Sequence, residues 1–181
     1  MKVTPTAISE VLVFEPQVNG GARGFFFESF NARRFEALSG QRVNFVEHNH
    51  NRSAKNVLRG LHCRSGSRKG NWCGSSPARY SMWSSIYAPP RLFFGRWVDT
   101  LLSAENWRQI WVPPGFAHGF LVTSDSAECL YKTTDYRAPK HQRSILWSDP
   151  ALAIDWPISG APIVSASDSG ATLLAHADVF P

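Results

Sequence analysis

The side chains in this 181-residue chain best suited to moving protons are histidines and a tyrosine set in apolar, strand-like surroundings. In F-A-H-G-F-L-V (116–122), two-residue alternation places Phe116, His118, Phe120 and Val122 on one face. An imidazole there can act in chemistry or sit as a satisfied core group. The same alternation puts Cys129, Tyr131 and Thr133 on one face, where a tyrosine is more often packing than an acid. H-N-H at 48–50 puts His48 and His50 on a shared strand face. With His62 and His118 they form a set of imidazoles suited to zinc or iron. The cysteines at 63, 73 and 129 are odd in number and lack a C-x-x-C spacing, so they suggest neither a disulfide framework nor a thiolate site.

The elements that must position these groups read mostly as short strands separated by turn residues. S-E-V-L-V-F-E-P (9–16) predicts a strand stopped by Pro16, N-G-G-A (19–22) a turn, and R-G-F-F-F-E-S-F (23–30) an aromatic strand. N-A-R-R-F-E-A-L-S-G (31–40) predicts the one helix, capped by Asn31 and ended by Gly40, with Phe35 and Leu38 inward. Strands are predicted at 44–53 and 56–62, with four more after residue 95, and the tail from about 149 reads as irregular. One domain spanning 1–181, all-β, of sandwich or jelly-roll type, is the expected architecture.

Composition narrows the class. With 43% hydrophobic and 18% charged residues the chain can bury a core. No long apolar run and no apolar leader follow Lys2, so a soluble cytoplasmic protein with reduced thiols, away from membranes, is expected. The net charge of +5 is local: residues 63–94 hold Arg64, Arg68, Lys69, Arg79 and Arg91 and no acid, while the rest is balanced. A basic stretch with Trp and Tyr is a weak argument for single-stranded nucleic acid, and no nucleic-acid partner is expected.

R-G-F-F-F-E-S-F (23–30), N-V-L-R-G-L-H (56–62), W-V-P-P-G-F-A-H-G-F (111–120), L-Y-K-T-T-D-Y (130–136), I-L-W-S-D-P (145–150) and I-D-W-P (154–157) occur in this order. Together they closely resemble the dTDP-4-dehydrorhamnose 3,5-epimerases, over about 1–62 and 95–181. The resemblance implies a cupin-type jelly roll with one short N-terminal helix and a homodimer that exchanges N-terminal strands. It implies inversion of C3 and C5 in a dTDP-linked 4-keto-6-deoxy sugar, with no metal or other cofactor. Both protons lie beside the C4 ketone, so the chemistry needs a base, a holder for the enolate oxygen and an acid on the opposite face. By resemblance His62 is the base, Asp168 its carboxylate partner and Tyr131 the acid. Arg59 and His118 match positions near the diphosphate and sugar. Arg23, Glu28 and Asn49 match nucleotide-side contacts, some reaching across the dimer. Strict alternation would place Arg59 and His62 on opposite strand faces, and a bulge at Gly60 is the expected remedy.

The chain departs from the family pattern at several substrate-side positions. Asn71 stands where the family has the lysine assigned to the enolate oxygen, and Lys69 comes two residues early. Glu47 replaces a glutamine, His48 an aspartate and Gln142 a glutamate. The larger departure is 63–94. One back-translation of N-W-C-G-S-S-P-A-R-Y-S-M-W (71–83), regrouped after its first two bases, reads L-V-R-V-V-A-G-E-V-F-D-V, a string of the family's type. A compensated frameshift is the expected origin, and it accounts for the excess Arg, Ser and Pro and for stray Trp and Cys. Losing about six strand Val, Leu or Phe would cost roughly 10 kcal/mol, against a total stability of about 5–15 kcal/mol for a domain. A damaged β-core and interrupted pairing at Pro77, Pro89 and Pro90 are therefore expected. Two alternatives remain: a non-catalytic sugar-nucleotide binding protein keeping Arg23, Arg59 and His118, and a metal cupin using the histidine set, which lacks the expected downstream glutamate.

Overall fold

Alternating apolar positions do become strands, and two sheets face each other across the core. The structure, a computed structural model, describes residues 1–65, 69–76, 79–86 and 94–177, with 75–76 and 79–86 described through their backbone alone. One six-stranded sheet contains β1 (Lys2–Pro5), β2 (Leu12–Glu15), β5 (Glu47–Ala54), β7 (Asn71–Ser76), β10 (Gln109–Val112) and β12 (Ser126–Thr133), in the order β1-β2-β10-β7-β12-β5. A five-stranded sheet contains β6 (Leu58–Arg64), β8 (Arg79–Ile86), β9 (Trp97–Ser103), β11 (Phe116–Val122) and β13 (Gln142–Ser144), in the order β13-β6-β11-β8-β9. The jelly-roll expectation holds.

Between the sheets lie Ile8, Val11, Val98, Leu102, Ile110 and Phe116, among others. On the outer side of β6 and β11, Leu58, Leu61, Ala117 and Leu121 are covered by the C-terminal tail through Leu152, Leu174, Trp147 and Trp156. That cover explains why β11 is buried on both faces. Among the described residues no helix is long and apolar enough to cross a membrane.

The helix α1 (Ala32–Ser39) forms where expected: the Asn31 side chain accepts the Arg34 N–H, and Gly40 ends it in the left-handed region at φ 68°. Phe35 is buried on its inner face in an aromatic cluster with Phe14, Trp72 and Trp111, and Leu38 packs against that cluster. Three local expectations need correction. The turn falls at 22–23, because Asn19–Gly21 is a strand, β3, paired with β4 (Gly24–Phe26). Gly24, at φ 108°, permits that tighter reversal. The strand expected over 23–30 is only β4. The tail also carries a second helix, α2 (Ala166–Ser169), capped by Ser165.

The divergent segment is built into both sheets. β7 pairs with β10 and β12, and β8 pairs with β11 and β9, so pairing over 71–76 and 79–86 is not interrupted. Ladder hydrogen bonds are made by the backbone and do not depend on which side chain is present. Trp72 is no stray: it is 3% exposed and packs 4.6 Å from Phe14 and 5.4 Å from Phe35, ring to ring. Pro77, Pro89 and Pro90 lie outside the described residues.

Candidate active site

Tyr131 on β12 and His62 on β6 reach one cavity of about 500 Å³ from opposite sheets. From the six-stranded sheet the walls carry Glu47, Asn49 and Asn51 of β5, Asn71 and Cys73 of β7, and Cys129 with Tyr131. From the other sheet come Arg59, His62, Cys63 and Arg64 of β6, Phe116, His118 and Phe120 of β11, and Gln142 of β13. Lys69 and Arg137 enter from connecting segments.

Arg59 and His62 share the cavity because β6 is bulged. His118 is paired with His62 and Phe120 with Arg59, so three steps on β6 match two on β11. Gly60 sits in that bulge at φ 125°, and a Cβ there would lie 2.6 Å from Gly119 Cα. Only glycine fits so close a crossing.

His62 Nε2 lies 2.7 Å from Asp168 Oδ1. Asp168 is 3% exposed and sits on α2, where its own N–H is accepted by Ser165 Oγ. Burial pushes its carboxyl upward, but hydrogen bonds from His62, Ser165 and the Gly60 amide, with the His62 charge, leave it below the usual carboxylate range. An ionised carboxylate only accepts, so Nε2 carries the proton and Nδ1 holds the lone pair.

Tyr131 is half-buried, and burial first, then nearby Cys129, Cys73 and Glu47, raises its phenol above the ordinary value. It is a neutral O–H donor at working pH. Burial, with the nearby His62 and Lys69, lowers His118 to about 3, so its ring is neutral. Among the described residues its buried Nδ1 has no hydrogen-bond partner. Glu47 accepts the Arg137 N–H at 2.8 Å, and that bond leads the forces that hold its carboxyl low. Arg64 donates to Asp135 Oδ2 at 2.9 Å and to the Tyr136 carbonyl, fixing the 133–137 segment at the rim.

The structure thus gathers His62, Tyr131, Glu47, Asn49, Arg59, Asn71, His118 and Gln142 on one cavity, with Asp168 directly behind His62. It does not bring Arg23 or Glu28 there within their own chain. Arg23 lies in the exposed hairpin turn, and Glu28 is bound to Asn31 and Arg34. The imagined histidine metal set does not converge. His48 and His50 lie on the solvent side of β5, alternating with Glu47, Asn49 and Asn51, and His50 pairs with Glu128. Sequence reading missed Asn51, Arg64 and Arg137. Asn51 was within reach, because it continues the period-two face of Glu47 and Asn49. Arg64 and Arg137 gave no periodic signal, since their places depend on a strand end and a connection.

Comparison with known proteins identifies the family. A family model described as dTDP-4-dehydrorhamnose 3,5-epimerase matches residues 5–73 and 89–176. The chain belongs to that family. The epimerase of Pseudomonas aeruginosa is 49% identical over 181 residues, covering 100% of both chains. That of Salmonella typhimurium is 48% identical, covering 98% of this chain and 97% of its own. The crystal structure of the Legionella pneumophila epimerase, in complex with dTDP-4-keto-L-rhamnose, superposes with a TM-score of 0.96 at 42% identity, covering 98% of this chain and 94% of that one. Membership places the chain among isomerases of nucleotide-linked sugars. The family model leaves 74–88 unmatched, inside the stretch expected to depart from the epimerase pattern.

Proposed function

We propose that this chain epimerises dTDP-4-dehydro-6-deoxy-D-glucose at C3 and C5, giving dTDP-4-dehydro-L-rhamnose. The observation that carries the reading is the opposition of the His62–Asp168 pair and the neutral Tyr131 phenol across one cavity. His62 Nδ1 removes the proton beside the ketone. The C–H electron pair becomes the new C=C bond, and the carbonyl pair moves onto oxygen as an enolate. Asp168 holds the ring and stabilises the imidazolium. Tyr131 gives its proton to the carbon from the other side, inverting the centre, and the phenolate regains a proton from solvent or from the imidazolium. No atom is gained or lost, as an isomerisation requires.

The partner we infer is a second copy of the chain. Phe25 and Phe26 are 59% and 72% exposed on the two sides of the β3–β4 hairpin, with Arg23 in its turn. Docked on a partner, that hairpin would bring Arg23, and Glu28 just beyond it, to the neighbouring cavity. Mixing His62→Asn chains with Arg23→Ala chains tests this. Recovered activity supports shared sites, and none opposes them.

The decisive experiment is deuterium uptake from D₂O into the 4-keto sugar nucleotide, followed by NMR. Uptake at C3 and C5 is expected. A folded chain that binds dTDP and exchanges neither proton would instead be a binding protein.

A further inference from the structure

Removing a proton beside a ketone puts a full negative charge on the carbonyl oxygen, and a dry cavity must meet it with a cation or strong donors. This inference rests on the epimerase reading. The described cavity residues include four cations: Arg59, Arg64, Lys69 and Arg137. Arg59 is exposed and donates to Ser53 Oγ at 3.1 Å. Arg64 is engaged with Asp135 and the Tyr136 carbonyl. Arg137 is exposed at the rim. Lys69 is half-buried, and burial leads the forces that lower its ammonium from the ordinary value. Arg64 adds to that, and Glu47 and Asp135 oppose it. Lys69 lines the same cavity as His118 and Cys73 of the two opposing sheets, and it does so from the connection that leads into β7.

The backbone fixes that placement. Gly70 N–H donates to Thr134 Oγ1 at 2.8 Å, and Thr134 N–H returns a bond to the Gly70 carbonyl at 3.1 Å. A Cβ at Gly70 would run into the Trp111 ring, so the chain is held against that ring with Lys69 next to it. A four-carbon stem can then carry the ammonium inward from the mouth. Asn71, on β7, can offer only a neutral amide.

We propose that Lys69 Nζ binds the substrate's C4 oxygen and stabilises the enolate, a catalytic part supplied from the connection before β7 and not from the strand. The test compares the parent chain with Lys69→Gln, Lys69→Arg and Lys69→Cys, reading deuterium exchange at C3 and C5, the kcat and KM split, and dTDP affinity by calorimetry. Lys69→Gln should lower kcat by about 10²–10³ with dTDP affinity held within about threefold. Lys69→Arg should recover part of the rate. Alkylating Lys69→Cys with 2-bromoethylamine, which rebuilds an amine of lysine length, should restore it without depending on how Lys69→Gln folds. An active parent whose Lys69→Gln variant exchanges equally fast, or an amine rebuilt at Cys without gain in rate, overturns the assignment and leaves the epimerase reading standing. A folded parent that binds dTDP without any exchange overturns the epimerase reading, and the assignment with it.

Discussion

His62 Nε2 and Asp168 Oδ1 stand 2.7 Å apart although 106 residues separate them in sequence. One comes from a bulged strand and the other from a four-residue helix in the tail. Replacing Asp168 by Asn would offer Nε2 an amide in place of a carboxylate, loosening both tautomer and ring orientation. Asp168→Asn should therefore lower kcat by about 10²–10⁴ with little change in KM. Steady-state kinetics check this, and a change confined to KM would contradict the role.

Tyr131 should separate exchange from inversion. In Tyr131→Phe the base remains, so deuterium can still enter the substrate, but no phenol delivers it from the far side. We expect washed-in label with retained configuration, and formation of the L-sugar slowed by about 10²–10⁴. NMR of the product mixture reads both. Equal loss of exchange and inversion would mean that Tyr131 is not a dedicated acid.

His118 should make the fold acid-sensitive. Its folded value of about 3 lies below the ordinary 6.5, so between these values the unfolded chain binds the extra proton and stability falls as pH falls. Asp168 adds in the same direction: its folded carboxyl is depressed, so its contribution is present above the ordinary carboxylate range and lost below it. From pH 7 to pH 5 the His118 share is about 2 kcal/mol. Urea melts at both pH values should show that difference shrinking in His118→Gln. An unchanged pH dependence would refute it.

The divergent segment should be the weak part of the core. Trp72 fills an aromatic cluster well, yet the family model does not match 74–88. Replacing residues 72–83 with L-V-R-V-V-A-G-E-V-F-D-V restores apolar alternation to β7 and β8. We expect a gain of several kcal/mol, at about 1.5–3 kcal/mol for each newly buried side chain. Denaturant midpoints measure it, and a lower midpoint for the chimera would argue against a frameshifted origin. Genomic resequencing tests that origin independently.

What the sequence determined by itself is the part with a local physical cause. Asn31 and Gly40 bracket α1 because capping needs only neighbours within a turn. Period-two alternation aligned His118 with Phe116 and Phe120, and Tyr131 with Cys129, because successive strand side chains must point to opposite faces. The ordered motifs carried the family. The tertiary structure decided the rest. It realised the bulge that Gly60 had made the expected one and so turned Arg59 and His62 to one side, since a one-residue offset reverses every later side chain and is fixed only by pairing with β11. It brought α2 behind β6, carried Lys69 and Arg137 over the cavity from connections without periodicity, and left Arg23 and Glu28 outside it. Those placements follow from how two sheets and a tail pack, and long-range packing has no signature within any one stretch of chain.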